Sequence, residues 1–95
     1  MRKVIDGKAY DTATATLLAE AENPSADSTD DIRYWAEELY RTPAGRYFLR
    51  GNGGPMSGWG SGPRIRVLTE SAACRWIERW AGSEYEKIFG PAEEA

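Results

Sequence analysis

The glycine-rich stretch GNGGPMSGWGSGP, residues 51–63, most constrains what this chain can fold into. It holds six glycines and two prolines in thirteen residues, which disfavours a helix there. A phosphate-binding loop of the GxxxxGK(S/T) type is excluded because the stretch contains no lysine. A dinucleotide-binding glycine motif lies between a strand and a helix, whereas this stretch separates two predicted strands. We therefore predict a flexible connection between strands, in which Trp59 packs under its own loop or docks on a partner.

The first third of the chain combines a turn signal with helix-forming residues. The Asp-Gly dipeptide at 6–7 suits a two-residue type I′ turn, so we predict a short β-hairpin around it. The alanine, leucine and glutamate content of residues 12–23 favours a helix, which an Asn-Pro pair then stops. Residues 24–31, PSADSTDD, are predicted to form a polar, acidic loop.

The middle of the chain has the pattern of a second hairpin. In LYRTPAGRYFLR the proline and the glycine suit a tight turn, which predicts paired strands at 34–41 and 46–50. One face of this hairpin would carry Leu39, Tyr47 and Leu49. The other face would carry Tyr40 and Phe48.

The last third predicts one strand and two helices. Polar and apolar residues alternate at 64–67, as in a half-buried strand. Thr69 then caps a helix, and Gly82 is expected to end it in the left-handed conformation. Ser83 has the pattern of a capping box that opens a short helix running to Phe89. The apolar stripe of the longer helix has helical spacing: Ala73, Trp76, Ile77, Trp80 and Ala81.

Together these elements predict an α+β fold. The order is β-β-α-β-β-β-α-α, and we expect an antiparallel sheet of about four to five strands with the helices on one face. At 95 residues the chain has room for one domain, predicted to span 1–90, with 91–95 as a frayed C-terminal tail.

The residue types missing from the chain argue against catalysis. There is no histidine, which removes Ser-His-Asp and Cys-His catalysis and the usual zinc sites. The one cysteine, Cys74, is expected to fill the core, and its being alone suits a reducing compartment. Calcium binding by DSTDD is disfavoured because the stretch lacks the glycine and the closing glutamate of an EF-hand. We therefore expect a non-enzymatic protein without metal or cofactor. We also expect it to be cytoplasmic, since the N-terminus lacks a signal-peptide pattern and no apolar run approaches membrane-spanning length.

Several stretches resemble those of a known group of proteins. KVIDGKAYDTATA, ELYRTPAGRYFLRGNGGPMS, RVLTESAACRWIERW and EYEKIFG are similar to short, largely uncharacterised bacterial proteins of phages and other mobile elements. The resemblance covers most of the chain, although the segment after Ser57 is shorter here and the first helix is poorer in acids. It implies a non-catalytic accessory protein of the anti-CRISPR or anti-restriction type, which acts by occluding a host machine.

Charge is segregated along the chain, and its acidic part supports this first hypothesis. Residues 1–40 carry nine acids and four bases, and the net charge of the whole chain is −3. A carboxylate-rich surface competes for the basic nucleic-acid channel of a host defence complex such as a CRISPR effector. The predicted partner-binding residues are five acids and three aromatic residues: Asp27, Asp30, Asp31, Glu37, Glu38, Tyr34, Trp35 and Trp59.

Two other hypotheses stay open. Residues 41–79 carry seven arginines and two glutamates, and a sheet that bears arginines between stacking aromatics binds single-stranded nucleic acid. Direct nucleic-acid binding is nevertheless disfavoured by the negative net charge and by the lack of a recognised motif. The third hypothesis is a structural or regulatory adaptor, monomeric or dimeric through an edge strand. The arginines of the nucleic-acid hypothesis are Arg41, Arg46, Arg50, Arg64 and Arg66.

Overall fold

The computed structural model describes residues 1–60 and 62–95, and its fold is α+β, as predicted. Strands β3 to β6 form an antiparallel sheet in the order β3-β4-β5-β6, and β1 and β2 form a separate antiparallel hairpin. The elements are β1 (Arg2–Ile5), β2 (Lys8–Asp11), β3 (Thr16–Glu22), β4 (Trp35–Arg41), β5 (Tyr47–Gly53), β6 (Arg64–Leu68), α1 (Glu70–Trp80), a 3-10 turn (Gly82–Glu84) and α2 (Tyr85–Phe89).

The helix predicted over residues 12–23 is wrong, because this segment contains strand β3. Its alanines at 19 and 21 are half-buried, and the glutamates that follow them are exposed, which is the two-residue period of a strand. Pairing with β4 satisfies the backbone groups on one side of this edge strand and packs the alanines against the core of the helix face, and this outweighs the helix propensity of Ala, Leu and Glu. The predicted single sheet is also corrected, since the hairpin β1–β2 does not join the larger sheet.

Both predicted hairpins are present. Asp6 and Gly7 have φ of 51° and 73°, the two positive values that a type I′ turn requires. In the second hairpin, Thr42 donates its backbone N–H to the carbonyl of Arg46 at 2.7 Å, and Gly45 has a φ of 85°. Strand β5 runs three residues beyond its predicted end, into the glycine-rich stretch.

One face of the larger sheet, here called the helix face, packs against α1 and α2. Leu39 on β4 and Leu49 on β5 lie on this face beneath Ala73, Trp76 and Ile77 of α1. Leu39, Ala73 and Ile77 are fully buried. The predicted apolar stripe of the helix is therefore what holds α1 on the sheet.

The opposite face of the sheet, here called the open face, is covered at one end by the hairpin β1–β2. Tyr10 of β2 contacts Phe48 edge-on, with ring centroids 5.6 Å apart. Tyr40 stacks on the same Phe48 at 5.1 Å, and Ile65 completes this smaller core. The aromatic residues at 40 and 48 thus share a face, as the sequence predicted.

The C-terminal helices match the prediction in part. Thr69 caps α1, its hydroxyl accepting from the N–H of Ala72 at 3.1 Å. The left-handed cap expected at Gly82 is wrong, because the C-cap of α1 is Ala81, whose φ is −146°, and Gly82 has no positive φ. The capping box expected at Ser83 is also wrong, since residues 82–84 form a 3-10 turn and the final helix begins afterwards without a side-chain cap.

The glycine-rich stretch joins β5 to β6, as predicted, and its described part folds against its surroundings. A Cβ at Gly51 would overlap the indole of Trp59, which lies on that glycine. Gly54 donates its N–H to the carbonyl of Tyr34 at 2.7 Å, and Met56 donates to Ile32 at 2.9 Å. Close packing, more than conformational freedom, is therefore what several of these glycines provide. One residue of the stretch, Ser61, lies outside the described residues.

Candidate functional site

The part of the open face that the hairpin leaves uncovered forms a groove of about 580 Å³. It runs across the ends of β3, β4 and β5 that lie farthest from the hairpin. Three glutamates point into it against one arginine, so its net charge is negative. We call it the acidic groove. It is lined by Glu20, Glu22, Tyr34, Ala36, Glu38, Arg50 and Asn52, together with Ala21, Glu37 and Gly51, whose strand positions belong to the helix face.

One of the three glutamates is neutralised within the groove. Arg50 donates to Glu38 at 3.1 Å across the β4–β5 pair. The hydroxyl of Tyr40 also donates to Glu38, at 3.4 Å. Burial first, and the neighbouring Glu38 carboxylate second, raise the pKa of Tyr40. Glu20 and Glu22 are exposed and have no ion-pair partner among the described residues, so they supply the unbalanced charge of the groove.

The loop between β3 and β4 extends this negative surface. Asp27 and Asp30 are exposed on it. Asp31 has a different role, because it accepts from the Arg33 guanidinium at 2.9 Å and from the backbone N–H groups of Arg33 and Asp27 at 2.8 and 3.2 Å. The hydrogen bonds from Arg33 are the largest cause that holds the pKa of Asp31 well below its usual range. Asp31 therefore organises the loop that presents the other two aspartates.

Glu37, another of the predicted partner-binding acids, lies on the helix face. Its carboxylate accepts from the indole N–H of Trp59 at 2.8 Å and from the indole N–H of Trp76 at 2.7 Å. Trp59 is 3% exposed, and Trp35 is half-buried against Trp80 with ring centroids 4.8 Å apart. Of the eight predicted partner-binding residues, these three thus lie on the opposite side of the sheet from Tyr34 and Glu38.

The structure does not bring the five arginines of the nucleic-acid hypothesis together. Arg50 faces the acidic groove, while Arg64 and Arg66 lie on β6 in register with helix-face positions of β5. Arg41 ends β4, in register with Tyr47, and Arg46 is exposed beside the turn. The aromatic residues expected to stack on bases are buried, with exposed fractions of 9%, 7% and 0%: Tyr40, Tyr47 and Phe48.

Sequence reasoning missed the two exposed glutamates of the groove because it placed them in a helix. The Ala-Glu-Ala-Glu alternation at 19–22 is the signal that identifies them, since it puts both carboxylates on one side of a strand. It also missed Ile32 and Met56, which are 57% and 71% exposed beside the acidic loop. Neither of these two apolar residues has a sequence signal of its own.

The described residues contain no group of three or more histidine, cysteine or acidic side chains placed to hold a metal ion. Cys74 is partly accessible, and burial is the main cause that raises the pKa of its thiol.

Neither helix of the described chain combines the length and the apolar character that crossing a bilayer requires. Comparison of the chain with protein-family models, with curated proteins and with solved structures found no match.

Proposed function

We propose that this protein is a non-catalytic binding protein whose acidic groove docks on a basic surface of a partner protein and keeps nucleic acid from that surface. The observation that carries the proposal is the pair of exposed glutamates, Glu20 and Glu22, which lie on a concave sheet face and have no ion-pair partner among the described residues. A concave surface of one sign focuses its field and attracts a partner of the opposite sign.

The acidic loop enlarges the charged area available to such a partner. It leaves the sheet next to Glu22 and returns at Tyr34, so it lies at the end of the groove. Groove and loop together carry six carboxylates and two guanidinium groups, a net charge of −4. They are Glu20, Glu22, Asp27, Asp30, Asp31 and Glu38, with Arg33 and Arg50.

Apolar contact area lies beside this charge. The backbone hydrogen bond between Met56 and Ile32 joins two residues at the end of the acidic loop, and both have exposed apolar side chains. Interfaces combine an apolar centre with a polar rim, and apolar contacts slow dissociation where charge chiefly speeds association. The two residues add apolar area to that expected from Tyr34, Trp35 and Trp59, of which Trp35 and Trp59 lie on the helix face.

The partner class follows from the chemistry of the groove together with the resemblance to mobile-element proteins. A host defence complex that holds nucleic acid in a positively charged channel, such as a CRISPR effector, offers the complementary surface. Direct nucleic-acid binding gains no support, because the arginines are dispersed over both faces of the sheet and their aromatic neighbours are buried.

A calorimetric titration with a nine-residue polylysine peptide tests the docking surface. The double variant E20Q/E22Q should bind at least about fivefold more weakly than the unaltered protein at low salt, and the difference should shrink at 0.3 M salt. The matched control E93Q/E94Q removes the same charge from the exposed C-terminal tail. Its dissociation constant for the peptide should stay within about twofold of that of the unaltered protein. An equal loss in both variants would mean that net charge, and not the groove, governs binding.

The inhibitory role is tested by cleavage of target DNA by a purified CRISPR effector. The unaltered protein should reduce cleavage at a one-to-one ratio, and E20Q/E22Q should reduce it less. Full inhibition by E20Q/E22Q would remove the acidic groove from the mechanism.

A further inference from the structure

A second concave site lies on the helix face, on the other side of the sheet from the acidic groove. It is a cleft of about 290 Å³, slightly smaller than the pockets of about 300 Å³ and upward that hold whole small molecules. Its size therefore suits a single side-chain-sized group. We call it the tryptophan cleft, and its lining is Trp35, Glu37, Gly58, Trp59, Arg66 and Trp80.

The carboxylate in this cleft has neutral partners only. Both oxygens of Glu37 accept from indole N–H groups, which donate hydrogen bonds and carry no charge. Among the described residues Glu37 takes part in no ion pair. Each carboxylate oxygen has two lone pairs, so each keeps one acceptor position after its indole hydrogen bond. Glu37 thus keeps unused acceptor capacity and forms no ion pair among the described residues, although the Arg66 guanidinium lies in the same cleft.

The walls of the cleft are surfaces on which cations already lie. The Arg66 guanidinium is 4.3 Å from the ring centroid of Trp59, and the Arg79 guanidinium is 4.8 Å from that of Trp80. The face of an indole carries the negative part of its quadrupole, which attracts cations. Arg66 is exposed, and among the described residues its guanidinium makes a single hydrogen bond, a 3.4 Å contact with the carbonyl of Gly58. An incoming cation can therefore displace it at little cost.

We propose that the tryptophan cleft binds a guanidinium group, which replaces Arg66 on the indole face of Trp59 and donates N–H groups to the free acceptor positions of Glu37. A guanidinium fits better than a methylated ammonium because it is planar, stacks on indoles and carries donors that a carboxylate can accept. The group comes either from a free small cation or from an arginine side chain of a peptide. This site is independent of the acidic groove, since the two lie on opposite faces of the sheet.

Titration of the protein with methylguanidinium chloride, followed by NMR of the indole N–H signals, tests the proposal. The signals of Trp59 and Trp76, whose donors contact Glu37, should shift saturably with a dissociation constant on the order of 1–10 mM. Sodium chloride and tetramethylammonium chloride at the same concentrations should not produce the saturable shift. A linear response equal to that of sodium chloride would overturn the proposal.

Two exposed arginines on the same strand provide the decisive comparison. R66A removes the competing cation and should tighten methylguanidinium binding about three- to tenfold, a gain that a purely structural role of the cluster would not produce. R64A removes the same charge two residues away and should leave the affinity within about twofold. E37Q should abolish methylguanidinium binding. If E37Q proves unstable, R66A still tests the site, because an unchanged affinity for methylguanidinium in R66A would count against it. The acidic-groove variant E20Q/E22Q should bind methylguanidinium as tightly as the unaltered protein. Failure of the tryptophan-cleft proposal is therefore separable from failure of the proposed function.

The source of the group is settled by a second titration with a capped Gly-Arg-Gly tripeptide. Binding at least as tight as that of methylguanidinium supports the site and assigns it to an arginine side chain of a partner. Binding of methylguanidinium alone supports the site and assigns it to a free cation.

Discussion

Glu37 and Glu38 are neighbours in sequence, but they face opposite sides of the sheet and have opposite roles. On the helix face, Glu37 accepts hydrogen bonds from the indole of Trp59 and from that of Trp76 on α1. Glu38 pairs with Arg50 at the edge of the acidic groove, where its side chain is 27% exposed. The sequence suggested that these adjacent acids form one charged patch. Because successive side chains of β4 point to opposite faces of the sheet, the two acids are separated instead.

This division predicts different stability effects for the two alanine variants. E37A should lower the free energy of unfolding by about 2–4 kcal/mol, because it leaves two indole N–H donors without their charged acceptor. E38A should lower it by about 0–1 kcal/mol, as expected for a partly exposed ion pair. Urea denaturation followed by far-UV circular dichroism measures both, and equal losses would contradict the role assigned to Glu37.

The contact between Gly51 and Trp59 predicts a second stability effect. G51A should destabilise the protein by about 2–3 kcal/mol, because the added methyl group overlaps the indole and pushes it off the sheet. G58A is the matched control from the same glycine-rich stretch, since a Cβ there meets nothing closer than 4.0 Å. Thermal denaturation should show a lower Tm for G51A alone; a similar Tm for G51A and the unaltered protein would mean that the indole does not rest on Gly51.

The ion pair between Asp31 and Arg33 predicts a pH dependence of stability. Because the pKa of Asp31 is lower in the folded chain than in the unfolded chain, this carboxylate stabilises the fold above about pH 4 and loses its effect as the pH falls. D31N should therefore be less stable than the unaltered protein at pH 7, and the difference should shrink below about pH 4.

The neighbouring Asp30 supplies the control for this prediction. It is exposed, and its carboxylate is not in any ion pair of the described residues. Urea denaturation between pH 3 and pH 7 should therefore show no such change for D30N. A constant difference between D31N and the unaltered protein over this range would remove the ion pair as the cause.

Docking of the N-terminal hairpin on the open face depends on Tyr10. This side chain is 4% exposed and packs edge-on against Phe48. Y10A should cost about 3 kcal/mol and should raise amide hydrogen exchange in β1 and β2 more than in α1. V4A, on an exposed position of the same hairpin, should change stability by less than about 0.5 kcal/mol. Uniformly faster exchange in Y10A would show that the hairpin and the sheet open as one unit.

Local signals predicted the elements whose formation depends on a few neighbouring residues. The Asp-Gly turn, the Pro-Gly turn of the second hairpin and the Thr69 cap are all present, because each is fixed by a special backbone conformation or by a cap within one turn. Strand β3 was missed for the opposite reason. Its helix-forming residues are held in a strand by pairing with β4, a contact that composition does not encode.

The candidate sites were predictable in charge but not in arrangement. The sequence indicated an acidic first half, yet only the pairing of β3 with β4 brings Glu20 and Glu22 into the groove with Glu38. The role of Glu37 depends on indoles that lie 22 and 39 residues away in the chain. Alternation with Trp35 and Leu39 could have placed Glu37 on the helix face, but it could not have identified those donors.

All four tryptophans belong to the core beneath the helices, and the smaller core under the N-terminal hairpin contains none. The intrinsic fluorescence of this protein is therefore a one-sided probe. Its emission will follow the loosening of α1 and the glycine-rich stretch, while undocking of β1 and β2 will pass without a tryptophan signal. An unfolding curve recorded from that emission will consequently describe half of the molecule, and a hairpin that separates early will be visible only to the tyrosines and the backbone amides.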